Sequence, residues 1–140
     1  MVMSAPEADK AQQAAYRAMK QARDGLPEVG RSARSLGVRI AGSPADIPVF
    51  AGNIVRPATG GMSVVFGGAM NLPKFRRPRA LGGEGRDPVY AIETARILSP
   101  LVVRIDRYPH ALVEPREECL LIQYESALHG TRGMWRLVHV

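Results

Sequence analysis

Glycine-rich turns are the first feature of this 140-residue sequence that could bring a backbone close to a ligand. One is Thr59-Gly60-Gly61-Met62, directly before the hydroxyl of Ser63, and others lie at residues 67–68 and 82–85. Because glycine has no Cβ, such turns tolerate positive φ and close approach, and their N–H groups can bind a phosphate. Residues 82–85 follow an Arg/Pro loop rather than a strand, which argues against a phosphate-binding loop there.

Arginine supplies most of the positive charge, with sixteen arginines among 19 basic residues and a formal net charge of +6. Residues 74–86, named the basic segment below, hold five positive side chains and one negative side chain. A basic patch attracts polyanions such as nucleic acid, a nucleotide pyrophosphate or an acidic protein. The alternative is a solvated loop whose charges keep the protein in solution.

Familiar catalytic and metal-binding motifs are absent from the sequence. It has no Walker loop, no G-x-G-x-x-G opening a helix and no H-E-x-x-H. Its three histidines are dispersed beside a single cysteine, so no metal site is expected. Cys119 is either a nucleophile or a small buried side chain, and its apolar neighbours favour the second.

Length and composition favour one folded domain, expected over residues 8–140 after a disordered tail at residues 1–7. Apolar residues make up 46% of the chain, no run reaches the roughly 20 that a membrane span requires, and the start does not resemble a signal peptide. We therefore expect a cytoplasmic protein, or one delivered into a cytoplasm without a cleaved signal, and no membrane partner.

The pattern of apolar residues predicts an α+β fold with helices near both ends and small mixed or antiparallel sheets. Helix-forming residues predict a helix over residues 8–23, ended by Asp24-Gly25. Strands are predicted at residues 89–92, 101–105 and 110–115, with shorter β-prone pieces before them. Leu121, Tyr124, Leu128 and Trp135 form one stripe of a predicted C-terminal helix, in which Tyr124 and Trp135 belong to the core.

Several short motifs occur in an order that resembles the ADP-ribosyltransferase-like toxins of type VI secretion. They are Thr-Gly-Gly-x-Ser-Val at residues 59–64, preceded by Asp46-Ile47 and Arg56-Pro57, and His-x-x-x-x-Pro at residues 110–115. Tyr16-Arg17-Ala18 resembles the Tyr-Arg-Ala near the start of these toxins. Asn-Leu-Pro-x-x-Arg-Arg-Pro at residues 71–78 and the pattern at residues 124–135 resemble small uncharacterised bacterial proteins.

This resemblance implies an ADP-ribosyltransferase-like fold of two small packed sheets with a cleft between them. It implies displacement of nicotinamide from NAD, the substrate, through an oxocarbenium-like state. Such chemistry needs a pyrophosphate anchor, donors around the nicotinamide and commonly a carboxylate on the ribose hydroxyl. A neutralising immunity or antitoxin protein is the partner that the resemblance implies.

The resemblance also assigns candidate roles. Ser63 takes the place of the motif serine, with Thr59, Gly60 and Gly61 in the same turn; the alternative for Ser63 is a hydroxyl bonded to local backbone. These toxins have Thr before that serine where this chain has Met62, so a second hydroxyl is missing.

The remaining candidates are Arg56, His110, Glu114 and Tyr90. Arg56 is the candidate phosphate anchor, or else an exposed arginine at a strand end. His110 matches the histidine of the toxins, or else is an exposed residue after a turn. Glu114 is a candidate ribose carboxylate on chemical grounds alone, and Tyr90 either stacks on nicotinamide or belongs to the core.

Two functions follow from the sequence. The first is a toxin-like enzyme that transfers ADP-ribose from NAD or cleaves NAD. The second is a non-catalytic basic module that binds an acidic protein or a nucleic acid through the basic segment.

Overall fold

A six-stranded antiparallel sheet forms the centre of the computed structural model, which describes residues 14–139. The elements, in chain order, are β1 (Ala14–Ala18), β2 (Ile54–Val55), β3 (Met62–Val65), β4 (Val89–Glu93), β5 (Leu101–Arg107), β6 (His110–Pro115), β7 (Cys119–Leu120), α1 (Leu121–Gly130) and β8 (Arg136–Leu137). The spatial order of the strands in the central sheet is β5-β6-β3-β1-β4-β8, and β2 pairs with β7 in a separate two-stranded ribbon. The expected α+β class is confirmed.

The prediction of an N-terminal helix over residues 8–23 is wrong for residues 14–23, which the structure describes. Residues 8–13 and the expected tail at residues 1–7 lie outside the described part of the chain. Residues Ala14–Ala18 form β1, in the interior of the sheet between β3 and β4. Alanine favours a helix in isolation, but a short helix is marginal in water and tertiary packing overrides its preference. Ala15 and Ala18 are almost fully buried in β1, where their small side chains fit under packed layers on both faces.

The other strands follow the sequence closely. β4, β5 and β6 cover the predicted strands, and β6 has the predicted bounds at residues 110–115. β5 and β6 form a hairpin with Val103 opposite Val113, and β3 pairs with β6 with Ser63 opposite Leu112. This register brings the Ser63 segment beside the histidine strand.

The C-terminal helix α1 is confirmed, and it packs on the sheet through the predicted apolar stripe. Leu121, Tyr124 and Leu128 are buried members of the main core. The Tyr124 hydroxyl donates to the carbonyl of Val113 at 2.6 Å and accepts from the amide of Met62 at 3.3 Å. Trp135 is buried as predicted, although it lies beyond the end of α1 and donates from Nε1 to Thr131. Helix α1 is therefore anchored to β3 and β6 together.

Two apolar clusters cover the central sheet. The larger one includes Met19, Phe66, Tyr90, Ile92 and the helix residues, and the smaller one joins Ala18, Val65, Ala69, Leu72 and Val89. The small cluster places the loop after β3 against the ends of β1 and β4. Within residues 14–139, no helix combines the length and apolar character needed to cross a bilayer.

Ion pairs tie the long connection between β1 and β2 to the rest of the fold. Arg31 binds Glu125 on α1, Arg34 binds Asp87 before β4, and Arg39 binds Asp46 within the same connection. Through these contacts, an almost strand-free segment is held in place beside β1.

Candidate functional site

A pocket of about 210 Å³ lies where β1 and β3 meet the loops that follow them. Its lining combines the strand ends with the long connection and the start of the basic segment, and consists of Arg17, Ala18, Ala33, Arg39, Asp46, Ser63, Val64, Val65, Leu72, Pro73, Phe75, Arg76 and His110. Three arginines and one carboxylate share this lining, so the pocket is suited to an anionic ligand.

Arg17 is the most unusual residue of the pocket, because its guanidinium is buried and contacts no carboxylate among residues 14–139. Nε and Nη2 donate to the carbonyl of Ser35 at 3.1 and 2.9 Å, and Nη1 donates to the carbonyl of Ser63 at 2.8 Å. Burial lowers the pKa of Arg17 to about 10, so the side chain is still a cation at neutral pH. Carbonyl oxygens satisfy its N–H groups but do not neutralise its charge, so an anion in the pocket would stabilise it.

The other charged side chains of the lining divide into a neutral pair and a loosely held cation. Arg39 donates from Nη2 to Asp46 at 2.8 Å, and its backbone amide donates to the same carboxylate at 2.6 Å. Arg76 lies 3.8 Å from Asp87, whose carboxylate is held at 2.6 and 2.7 Å by Arg34. Burial is the largest cause that lowers the pKa of Arg76. Arg17 and Arg76 therefore give the pocket its positive charge.

Ser63 lies in the pocket lining on β3, and its carbonyl holds Arg17. Within residues 14–139, its Oγ makes no hydrogen bond. The structure therefore does not show the alternative, in which the Ser63 hydroxyl bonds the local backbone. The hydroxyl is therefore available to a ligand, on a residue whose carbonyl contacts the buried Arg17.

His110 lies in the same lining, at the start of β6 and opposite Val65. Its Nδ1 is 2.6 Å from Oδ1 of Asp106, and the imidazole is about one-third exposed. Burial opposes ionisation of Asp106, but hydrogen bonds from His110 and from the Arg107 amide outweigh it and lower the pKa of Asp106. Asp106 therefore orients the imidazole, as a carboxylate does where a nucleophile, a histidine base and an orienting carboxylate act together.

The structure brings Ser63 and His110 together but places the other candidates elsewhere. Arg56 is exposed, binds Glu118 at 2.9 Å and lies over the Phe50 ring at 4.2 Å. Thr59 is exposed and donates to the carbonyl of Arg56 at 2.7 Å. Neither side chain belongs to the pocket lining.

Glu114 and Tyr90 are both buried outside the pocket. Glu114 accepts from Nε of Arg104 at 3.0 Å with both oxygens, on the β5–β6 hairpin. Tyr90 is 1% exposed and its hydroxyl donates to the carbonyl of Gly25 at 2.9 Å, which is the core alternative.

The two glycines of the Thr-Gly-Gly motif have packing roles. A Cβ on Gly60 would overlap the carbonyl oxygen of Asp46, and a Cβ on Gly61 would come within 2.6 Å of the carbonyl oxygen of Val113. The amide of Gly61 donates to the carbonyl of Asp46 at 2.9 Å. Gly60 therefore lets the chain before β3 close against the Asp46 segment, which forms part of the pocket wall, and Gly61 lets it close against β6.

Sequence reasoning missed Arg17, Arg39, Asp46, Phe75 and Arg76 as site residues. Arg17 carried a usable signal, because it is the single charged residue among the apolar residues at positions 14–19. An arginine in such a run is buried if the run is an interior strand. A buried arginine is rare unless the charge has a partner, so it indicates a possible binding site. In the predicted helix, the Arg17 side chain could reach solvent, so that prediction gave no reason to expect a buried arginine.

Cys119 and metal ligands add nothing to this site. Cys119 lies on β7 opposite Val55, and burial raises the pKa of its thiol, which disfavours the thiolate nucleophile. In the described part of the chain, no group of three or more His, Cys, Asp or Glu side chains is placed to hold a metal ion.

Comparison with known proteins found no matching family model, no matching curated protein and no matching solved structure. The assignment of a function therefore depends on the geometry of the pocket and on the sequence motifs.

Proposed function

We propose that the chain is a toxin-like enzyme that consumes NAD, in the manner of ADP-ribosyltransferases, and that the Arg17 pocket is its active site. One observation carries the proposal. Ser63 and His110 belong to two motifs and lie 47 positions apart in the sequence, yet both line one pocket. The same pocket holds the buried Arg17, whose charge is balanced by no contacting carboxylate among the described residues. A neutralising partner protein belongs to the same proposal.

The two unneutralised cations of the pocket would bind the pyrophosphate. Arg17 is fixed by backbone carbonyls and carries a charge that no contacting carboxylate in the described part of the chain balances. Arg76, about one-fifth exposed at the rim, is free to reorient because its distance to Asp87 is 3.8 Å. Charge-assisted hydrogen bonds from arginine to phosphate oxygens are among the strong ones in proteins, so this pair replaces Arg56 as the proposed anchor.

The reaction would take place at C1′ of the ribose that carries nicotinamide. The C1′–N bond breaks, its electron pair leaves with nicotinamide, and water or an acceptor atom forms the new bond to C1′ and loses one proton. Ser63 Oγ would hold the nicotinamide end or the ribose by a hydrogen bond. Asp46 is the carboxylate of this lining, so we assign to it the ribose contact that chemistry alone had suggested for Glu114.

His110 would position an acceptor or take up its proton. Its hydrogen bond to Asp106 orients the imidazole with Nδ1 toward the carboxylate, which leaves Nε2 for the reacting groups. The chemistry requires no metal and no redox partner. The pyridinium nitrogen of NAD is already positively charged, and it becomes neutral when nicotinamide leaves with the electron pair of the C1′–N bond.

The test is release of nicotinamide from NAD by the full chain, with and without cell lysate. Ser63→Ala should lower the rate by about 10²-fold, the usual loss when a positioned hydrogen-bonding group is removed. Its stability should change by less than about 0.5 kcal/mol, because Oγ makes no hydrogen bond within the described residues. Ser126→Ala, an exposed serine on α1, is the matched control.

The outcomes separate three cases. Release that needs Ser63 and rises with lysate supports transfer to a target, whereas release independent of lysate supports hydrolysis of NAD. No release under either condition overturns the enzyme proposal. The second candidate, a non-catalytic basic binding module, is then favoured by the exposed cations of the basic segment, Lys74, Arg79 and Arg86, which make no ion pair with the part of the chain that the structure describes.

A further inference from the structure

The basic segment, residues 74–86, borders the pocket and presents exposed cations to solvent. Within the described residues, Lys74, Arg79 and Arg86 are exposed and make no ion pair. Phe75 and Arg76 of the same segment line the pocket itself. The positive charge of the pocket is therefore continuous with that of the surface next to it.

Internal hydrogen bonds hold this segment in one shape. The amide of Glu84 donates to the carbonyl of Lys74, and the amide of Gly85 donates to the carbonyl of Arg77, both at 2.8 Å. A Cβ on Gly83 would overlap the carbonyl oxygen of Arg77, so glycine is required where the two arms of the loop meet. The charges are thus displayed by an ordered loop, which lowers the entropic cost of binding a ligand.

Phe75 lies at the rim of the pocket with 65% of its surface exposed. Lys74 precedes it, and the guanidinium of Arg76 lies 5.5 Å from the centroid of its ring. An exposed aromatic ring between cations matches the way proteins bind single-stranded nucleic acid, where bases stack on the ring and phosphates lie on the cations. An acidic protein would satisfy the cations but would leave the aromatic ring without a specific role.

We propose that the basic segment binds single-stranded nucleic acid and presents it to the pocket as the acceptor of ADP-ribose. The acceptor role rests on the proposed function, whereas the binding does not. In the transfer, a nitrogen of a base bonds to C1′ of the ribose and releases one proton to solvent. The C1′–nicotinamide bond breaks and its electron pair leaves with neutral nicotinamide, so no oxidant or further reactant is needed.

Binding is tested with a fluorescent single-stranded oligonucleotide of about 12 nucleotides, within the range that one such surface covers. Phe75→Ala should weaken binding by at least about 5-fold through the lost stacking. Lys74→Glu/Arg79→Glu should weaken binding by more than about 10-fold and flatten the slope of log K against log salt by about 1.4, at about 0.7 per lost contact.

The matched control is Arg96→Glu/Arg116→Glu, which changes the net charge equally at two exposed arginines without ion pairs in the described part of the chain. It should bind the oligonucleotide as tightly as the wild-type chain. Equal loss in both double variants would mean that only overall charge matters, and would overturn the assignment to the basic segment. Tighter binding of a polyglutamate peptide than of the oligonucleotide would overturn the choice of nucleic acid.

Transfer is tested with NAD labelled on its adenine and the same oligonucleotide. Label on the oligonucleotide with the wild-type chain, and its loss in Lys74→Glu/Arg79→Glu while nicotinamide release continues, supports the acceptor proposal, because neither Lys74 nor Arg79 belongs to the pocket lining. Nicotinamide release with label on proteins of a lysate, and none on the oligonucleotide, overturns the acceptor proposal and leaves the enzyme proposal standing. Oligonucleotide binding with no nicotinamide release under any condition overturns the enzyme proposal and, with it, the acceptor role.

Discussion

Arg17 illustrates at the scale of one residue how a buried charge can indicate a site. Five hydrogen bonds to four backbone carbonyls satisfy its donors, and its largest electrostatic support comes from Asp46, which already binds Arg39. A cation held this way costs free energy relative to water unless an anion approaches it. The pKa lowered to about 10 expresses that cost, because burial penalises the charged form.

Gly61 is the residue for which we make a prediction at this scale. It precedes β3 where the strand approaches β6, and a Cβ there would lie 2.6 Å from the carbonyl oxygen of Val113 and 3.1 Å from Cβ of Glu114. We expect Gly61→Ala to lower the free energy of unfolding by about 1–3 kcal/mol, because the backbone of β6 must move. Urea denaturation followed by circular dichroism measures this change.

Gly133→Ala is the matched control, since no atom lies within 4 Å of a Cβ built there. It should leave the unfolding free energy within about 0.5 kcal/mol of the wild-type value. A Gly61→Ala chain as stable as Gly133→Ala would contradict the close approach of β3 and β6.

Helix α1 and the sheet are joined, at the scale of elements, by one buried hydroxyl. Tyr124 bonds the carbonyl of Val113 on β6 and the amide of Met62 on β3, and burial is the largest cause that raises the pKa of its phenol. Val113 immediately precedes Glu114 in the sequence, and Met62 immediately precedes Ser63. The helix thus fixes the strands that line the pocket, although it contributes no residue to the lining.

We therefore predict that Tyr124→Phe destabilises the chain without altering its core packing. Loss of the hydroxyl leaves buried backbone groups short of a hydrogen bond, which costs about 1–3 kcal/mol. Tyr16→Phe is the control, because the Tyr16 hydroxyl makes no hydrogen bond within the described residues. Equal urea midpoints for the two variants would show that the Tyr124 bonds contribute nothing.

The whole molecule is closed by ion pairs between segments that are far apart in sequence. Arg132, after α1, holds Asp24 with two contacts of 2.7 Å, and Arg34 holds Asp87 with contacts of 2.6 and 2.7 Å. Hydrogen bonds from these arginines are the largest cause that lowers the pKa of Asp24 and of Asp87. Burial opposes ionisation of Asp106, but its hydrogen bonds outweigh burial and lower the pKa of this carboxyl as well.

We predict acid sensitivity from these three carboxyls. A carboxyl whose pKa is lower in the folded than in the unfolded chain stabilises the fold fully above the ordinary aspartate pKa of about 3.9. That contribution is lost as the pH falls through the lowered value. The urea midpoint should therefore fall steeply below about pH 4.

Asp87→Asn should reduce the steepness of that fall, because an amide does not titrate, and Arg34→Gln should reduce it as well. Both variants also lose some stability at neutral pH, since Asp87 is mostly buried. An acid response identical to that of the wild-type chain in both variants would show that this pair does not contribute to the pH dependence.

The parts of this protein with local sequence patterns could be predicted without knowledge of its tertiary contacts. The strand at residues 110–115 and the helix with Leu121, Tyr124 and Leu128 followed from β-prone runs and helical spacing. Ser63 and His110 were found as candidates because their motifs are short and contiguous. Local patterns are readable because strands and helices each have a fixed repeat.

No local pattern shows which of these elements lie next to each other in the folded chain. β1 is an interior strand because β3 and β4 supply partners from distant positions, and no local propensity of Ala14–Ala18 contains that information. The same pairing buries Arg17 beside Ser63 and leaves Arg56 and Thr59 outside the pocket. Burial, charge balance and the assembly of a site depend on contacts between remote segments, whose free energy exceeds the helix preference of a few alanines.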